Sequence, residues 1–131
     1  MLGGPVHGGP SPIFSSVAFS PDGKTLAAGT WITPLESPDD IYLFDVATGQ
    51  ERARWEGHTS CIETVAFSPD GKLLATGGGD KIVRVWDVAS GRQVAGLGGH
   101  ENRLRGVVFT PDGKLVSGGH EQTVRLWERK R

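Results

Sequence analysis

Two sets of residues in this chain carry the side chains of a nucleophilic centre. His58, Thr76 and Asp80 supply an imidazole, a hydroxyl and a carboxylate, and His100, Ser117 and Glu121 repeat the set about 42 residues on. Catalysis also needs an exposed nucleophile, a base within reach and donors for an oxyanion. Thr76 and Ser117 lie inside apolar runs that read as strands, so their hydroxyls are expected to be structural. Asp22, Asp70 and Asp112 stand at equivalent positions and look like metal ligands. Calcium, however, needs several oxygens converging at about 2.3–2.6 Å, and equivalent residues of repeated units stand a unit's width apart. Gly77-Gly78-Gly79 and Gly98-Gly99 have the composition of phosphate loops, but such loops open a helix and these adjoin strands. The expectation is a protein with no catalytic residue, no metal and no cofactor: not an enzyme.

The elements that position these residues follow from a repeat. Val17-Ala18-Phe19-Ser20-Pro21-Asp22-Gly23-Lys24, Val65-Ala66-Phe67-Ser68-Pro69-Asp70-Gly71-Lys72 and Val107-Val108-Phe109-Thr110-Pro111-Asp112-Gly113-Lys114 recur at intervals of 48 and 42 residues. Each is followed by an apolar run closing on an aromatic-acid pair: Phe44-Asp45, Trp86-Asp87 and Trp127-Glu128. A period in the forties, with Gly-His ahead of the unit and Trp-Asp near its end, is the sequence mark of a four-stranded propeller blade. In the second unit, residues 62–67 alternate apolar and polar, Ser68-Pro69-Asp70-Gly71 turns the chain, and residues 73–76 resume as a strand. Proline presets φ at the start of that turn and glycine accepts positive φ at its end. Gly77-Gly78-Gly79-Asp80-Lys81 reads as a second turn, residues 82–86 as a third strand, Ala89-Ser90-Gly91-Arg92 as a third turn and residues 93–97 as a weaker outer strand. No window has a helical period, so the chain is expected to be all-β.

Composition closes off other classes. Fourteen basic against fifteen acidic residues leave a net charge of -1, which gives no electrostatic reason to expect nucleic acid or an acidic membrane. The single cysteine, Cys61, excludes an internal disulfide and a structural zinc site. No apolar run approaches the roughly 18 residues that span a bilayer, and the N-terminus lacks a signal-peptide pattern. The expectation is a cytoplasmic protein with no membrane and no nucleic-acid partner.

On Gly57-His58, Ser68-Pro69-Asp70-Gly71, Thr76, Asp80 and Trp86-Asp87, in that order and spacing, the chain resembles the WD-repeat (WD40) family of β-propellers over about residues 13–131. The resemblance implies blades at about 13–57, 58–99 and 100–131, after a Gly/Pro-rich segment, 1–12. It also implies a structural hydrogen-bond relay in each regular blade, ending on a tryptophan: His58, Thr76, Asp80 and Trp86 in the second, and His100, Ser117, Glu121 and Trp127 in the third, with glutamate in the usual aspartate position. Ala28 and Phe44 occupy the hydroxyl and tryptophan positions of the first unit, whose relay is expected to be absent.

Function then falls to loops on a rigid scaffold. By the same resemblance, a protein or peptide partner is expected on the face holding Ile13 and Ser15, Cys61 and Glu63, Arg103 and Arg105, and His120. Arg103 and Arg105, two apart on a strand, point to one side and could grip a carboxylate or phosphopeptide, or pair with Glu101 or Glu63 across blades. Cys61 reads as an inert small residue. The first unit carries about six extra residues around Trp31 and Leu35, either an interface anchor or a local cover. The chain stops after the third strand of its last unit, and Leu2-Gly3-Gly4 echoes Leu97-Gly98-Gly99. Three blades leave an open ring. The expectation is an interaction scaffold closed by self-association, as a dimer with six blades or a trimer with nine, or else a piece of a larger WD-repeat protein whose other blades lie on another chain.

Overall fold

The computed structural model describes residues 13–31, 39–58, 61–98, 100, 104–119 and 124–127. Eleven strands run through them in chain order: β1 (Ile13–Phe19), β2 (Thr25–Trp31), β3 (Asp39–Asp45), β4 (Glu51–His58), β5 (Ile62–Phe67), β6 (Leu73–Gly78), β7 (Val83–Asp87), β8 (Gln93–Leu97), β9 (Leu104–Phe109), β10 (Leu115–Gly119) and β11 (Val124–Trp127). They form two four-stranded sheets, β1-β2-β3-β4 and β5-β6-β7-β8, and one three-stranded sheet, β9-β10-β11, each an antiparallel meander. There is no helix among the described residues.

The turns explain the hairpins. In the first hairpin of each blade the glycine has positive φ, 72° at Gly23, 74° at Gly71 and 90° at Gly113. Its N–H donates to the carbonyl of Ser20, Ser68 or Thr110 at 2.9 Å in each case. The aspartate finishes the turn. Ser20 Oγ donates to Asp22 at 2.6 Å and the Lys24 N–H at 2.9 Å, and Ser68 and Lys72 repeat this on Asp70 at 2.6 and 3.0 Å. Thr110 Oγ1 donates to Asp112. These hydrogen bonds favour the ionised carboxyls, so all three have pKa values below the ordinary 3.8. Three aspartates that resemble metal ligands in sequence are each engaged within their own turn.

Alternation along each strand then sends one set of side chains to each sheet face. Ala27, Ile41 and Leu43 of the first sheet bury against Ile62, Val65, Leu74 and Trp86 of the second, with Trp55 packed on them. The opposite face of the second sheet, with Ala75, Val83 and Val85, buries against Leu104, Val107 and Leu115 of the third, joined by Trp127. Consecutive blades thus stack face on face, and their first strands, β1, β5 and β9, are neighbours.

One turn lies elsewhere than the sequence suggests. Gly77 and Gly78 belong to β6, and the chain turns only at Gly79 and Asp80, with Lys81 at a φ of 69°. A Cβ on Gly77 would lie 2.7 Å from Leu104 Cδ1 in the next blade, and one on Gly78 would lie 1.8 Å from the Cys61 carbonyl oxygen. These glycines let a neighbouring blade and a neighbouring backbone approach, as glycine within a strand commonly does.

Candidate functional site

The hydroxyls of the two regular blades are shut from solvent, with Thr76 at 0% and Ser117 at 1% exposure. The indole N–H of Trp86, on β7, donates to Thr76 Oγ1 on β6 at 3.0 Å. The third blade repeats this: Trp127 Nε1 donates to Ser117 Oγ at 2.8 Å, and His100 Nε2 lies 2.7 Å from the same oxygen. The side chains follow from register. Trp86 pairs with Leu74 and Trp127 with Leu115, so each indole lies diagonal to the hydroxyl two residues further along the second strand, on the same face. The carboxylate of Asp80 is held by Arg84 Nη2 at 3.3 Å and by the N–H of Ile82 at 3.4 Å. The side chain of His58 and all of Glu121 lie outside the described residues.

In the first blade an apolar cluster replaces the relay. Ala28, Tyr42 and Phe44 bury together with Leu26, on the face opposite the first junction. Phe14 meets Tyr42 and Phe44 edge-on, with centroids 5.4 and 6.1 Å away, and Arg54 lies over the Tyr42 ring at 4.5 Å. Burial raises the Tyr42 pKa. Thr30 serves its own strand ends, donating to the carbonyl of Asp40 at 2.8 Å and accepting from its N–H at 3.0 Å.

Some of the residues assigned to the partner face are drawn into blade junctions. Cys61 is 5% exposed, and its carbonyl accepts the Gly79 N–H at 2.9 Å. Its side chain is therefore shut from solvent. Ser15, at a bulge in β1, donates to Gly29 O at 3.3 Å and to the Ile62 carbonyl of the next blade. Arg105 Nε comes within 3.7 Å of Glu63, so β9 and β5 meet through a charge pair, the second of the two roles open to Arg105 from sequence. Ile13 and Trp31 are register partners at the end of the first hairpin, and their side chains lie outside the described residues. So do Leu35, Arg103 and His120.

An open three-blade array is expected to expose an apolar face at each end, and the two end faces do leave apolar surface open. On the first sheet Val17 and Phe19 are 60% and 61% exposed, and on the last Val108, Val124 and Leu126 are 58%, 74% and 56% exposed. Sequence reasoning did not foresee a groove of about 380 Å³ between the second and third blades, lined by residues including Leu73, Leu97, Phe109 and Trp127. The signal was present: Leu97 precedes Gly98-Gly99-His100 at the place where Trp55 precedes Glu56-Gly57-His58.

The family profile described as WD domain, G-beta repeat, matches residues 5–31, 49–87 and 91–128. No curated protein matches the chain significantly. Among solved structures the chain is similar to the crystal structure of RRP9 WD40 repeats, with a TM-score of 0.82 and 23% identity over 93% of this chain. It is similar also to the structure of U3-55K, with a TM-score of 0.82 and 22% identity over 93% of this chain. It spans 37% of the length of each, and at these identities the likeness is one of fold. The second and third profile matches each run from the outer strand of one sheet, β4 or β8, through three strands of the next, the first covers β1 and β2, and the second and third sheets carry a tryptophan-to-hydroxyl bond at the same register; the chain accordingly belongs to the WD-repeat family of β-propellers.

Proposed function

We propose that the chain is a non-enzymatic protein-interaction scaffold: three blades of a propeller that further blades complete. Its rim, where Glu63 and Arg105 follow the first residues of β5 and β9, meets a protein or peptide partner. The observation that carries this reading is the pair of open end faces. The faces between blades bury their apolar side chains, and the corresponding positions at the two ends leave Val17, Phe19, Val108, Val124 and Leu126 more than half exposed. Contiguous apolar patches of this kind on soluble proteins mark surfaces made to be covered. Among the described residues that could have suggested catalysis, Thr76, Ser117 and His100 are engaged in buried hydrogen bonds and Asp80 is held by Arg84.

Light scattering and binding of an apolar fluorescent dye test the reading together. The wild-type protein should either assemble or, as a monomer, bind the dye. Phe19→Asp with Leu126→Asp, one on each end face, should abolish both and leave the β-sheet circular dichroism intact. A wild-type monomer that binds no dye would show that the end faces need no cover, and the scaffold reading would fall.

A further inference from the structure

The two blade junctions differ at three positions on one face. Thr25, Arg52 and Trp55 of the first sheet have the same registers as Leu73, Val94 and Leu97 of the second. At the first junction Trp55 stacks on Trp86, and Arg52 Nη1 donates to Thr25 Oγ1 at 2.5 Å. These side chains close the outer end of the interface. At the second junction a leucine and a valine stand in place of the indole and the guanidinium, and the groove beside Trp127 is what they leave. Val94 is 57% exposed, and Trp127 is half-buried where Trp86 is buried, although both indoles donate the same bond to a hydroxyl.

The missing material has the size of one ring system. The three side chains of the second sheet carry roughly nine fewer non-hydrogen atoms than their counterparts in the first, the content of an indole, and close-packed interiors leave few gaps of that size. At about 380 Å³ the groove falls within the roughly 300–1,000 Å³ of ligand sites. Its lining is apolar at Leu73, Val85, Leu97, Phe109 and Leu115, and carries a carboxylate at Asp87. Ser90 donates to Asp87 Oδ2 through its hydroxyl at 2.7 Å and its N–H at 3.0 Å, which favours the ionised form and lowers the pKa below 3.8. A flat apolar ring with positive charge beside it complements this lining.

From this we infer that the groove receives a tryptophan side chain of a protein partner, stacked on Trp127 as Trp55 stacks on Trp86, with a basic residue next to that tryptophan meeting Asp87. Tryptophan and arginine are the side chains that most often anchor an interface by filling a pocket. The inference goes beyond the scaffold reading, since it concerns a surface between two blades and makes no use of the end faces.

Titration of the full chain with a short acetylated and amidated peptide containing Arg-Trp, followed by methyl NMR, tests it. Saturable shifts are expected at the Val94, Leu97 and Leu115 methyls, and leucine in place of the peptide's tryptophan should weaken binding about tenfold or more. Glutamate in place of its arginine should also weaken binding, through repulsion by Asp87. Leu97→Trp should abolish the response at Val94 and Leu115 with the β-sheet circular dichroism intact, because the protein's own indole then fills the groove. Val94→Arg, at an exposed position outside the packed core, should block the groove in the same way. Absence of saturable shifts, equal binding of all three peptides, or undiminished binding by both variants would overturn the inference. The end faces are read separately, by light scattering and by an anionic apolar dye, which Asp87 disfavours in the groove.

Discussion

Trp55 stacks on Trp86 across the first blade junction, with ring centroids 5.6 Å apart and planes inclined by 22°. Trp55 is on the outer strand of one blade and Trp86 on the third strand of the next, so the stack closes the outer end of the interface. At the second junction Leu97 stands where Trp55 would, and the groove beside Trp127 remains. Leu97→Trp should fill that groove by stacking on Trp127 and raise stability by about 0.5–1.5 kcal/mol, the usual worth of an aromatic pair beyond its buried area. Urea unfolding would measure it, and an unchanged or lower midpoint would show that the groove cannot accept an indole.

Trp86→Ala should cost about 3–5 kcal/mol, since it removes a buried aromatic that bridges two blades. Phe44→Ala, in a cluster that lies on an end face, should cost less in a protein held monomeric by Leu126→Asp. Thr76→Val keeps the shape but leaves the Trp86 indole N–H without its acceptor in a buried site, a loss of about 1–3 kcal/mol. Equal losses for Trp86→Ala and Phe44→Ala in denaturant melts would deny the difference between the first two blades.

Glycine substitutions should divide sharply. Gly78→Ala places a methyl 1.8 Å from a backbone oxygen, which no rotamer can relieve, whereas Gly98→Ala and Gly106→Ala meet nothing within 4 Å. The first should destabilise by several times the effect of either of the others, as thermal melting would show.

The strands were legible because their causes are local. Alternation in β5 and the Ser-Pro-Asp-Gly turn at Ser68 act over neighbouring residues, and the structure places them where the pattern does. What was hidden depends on residues far along the chain. Gly77 looks like part of a turn until Leu104 of the next blade is against it, and the close approach of Gly78 to the Cys61 carbonyl leaves no mark in the sequence. Arg105 could be read as a ligand-gripping residue or as Glu63's partner, and only the packing of β9 on β5 brings the two together. That the end faces would be open followed from three repeats, but which of their side chains stay exposed, Val17 and Phe19 at one end and Val108, Val124 and Leu126 at the other, depends on how the sheets pack.

Acid should weaken the fold through its turns. The Asp22, Asp70 and Asp112 pKa values are lowered below 3.8, first by the hydroxyls of Ser20, Ser68 and Thr110. A carboxyl with a lowered folded-state pKa contributes stability that is fully present above its unfolded value and lost as pH falls through the folded one. The stability of the wild type should therefore decline below about pH 4. In the triple variant Asp22→Asn, Asp70→Asn, Asp112→Asn that decline should be shallower. Parallel pH profiles for the two proteins would mean that the turns do not sense acid.

The bond between His100 and Ser117 also has a mechanical side. His100 lies on the connection from β8 into the last blade, and Ser117 lies on that blade's second strand, so tension in the connection reaches a buried contact before it reaches the β9-β10 ladder. The first blade has Ala28 at the corresponding place, a methyl group that offers nothing to latch onto. Pulled from its ends, the chain should give way from its N-terminal blade, while the connection into the last blade holds until the imidazole leaves the serine.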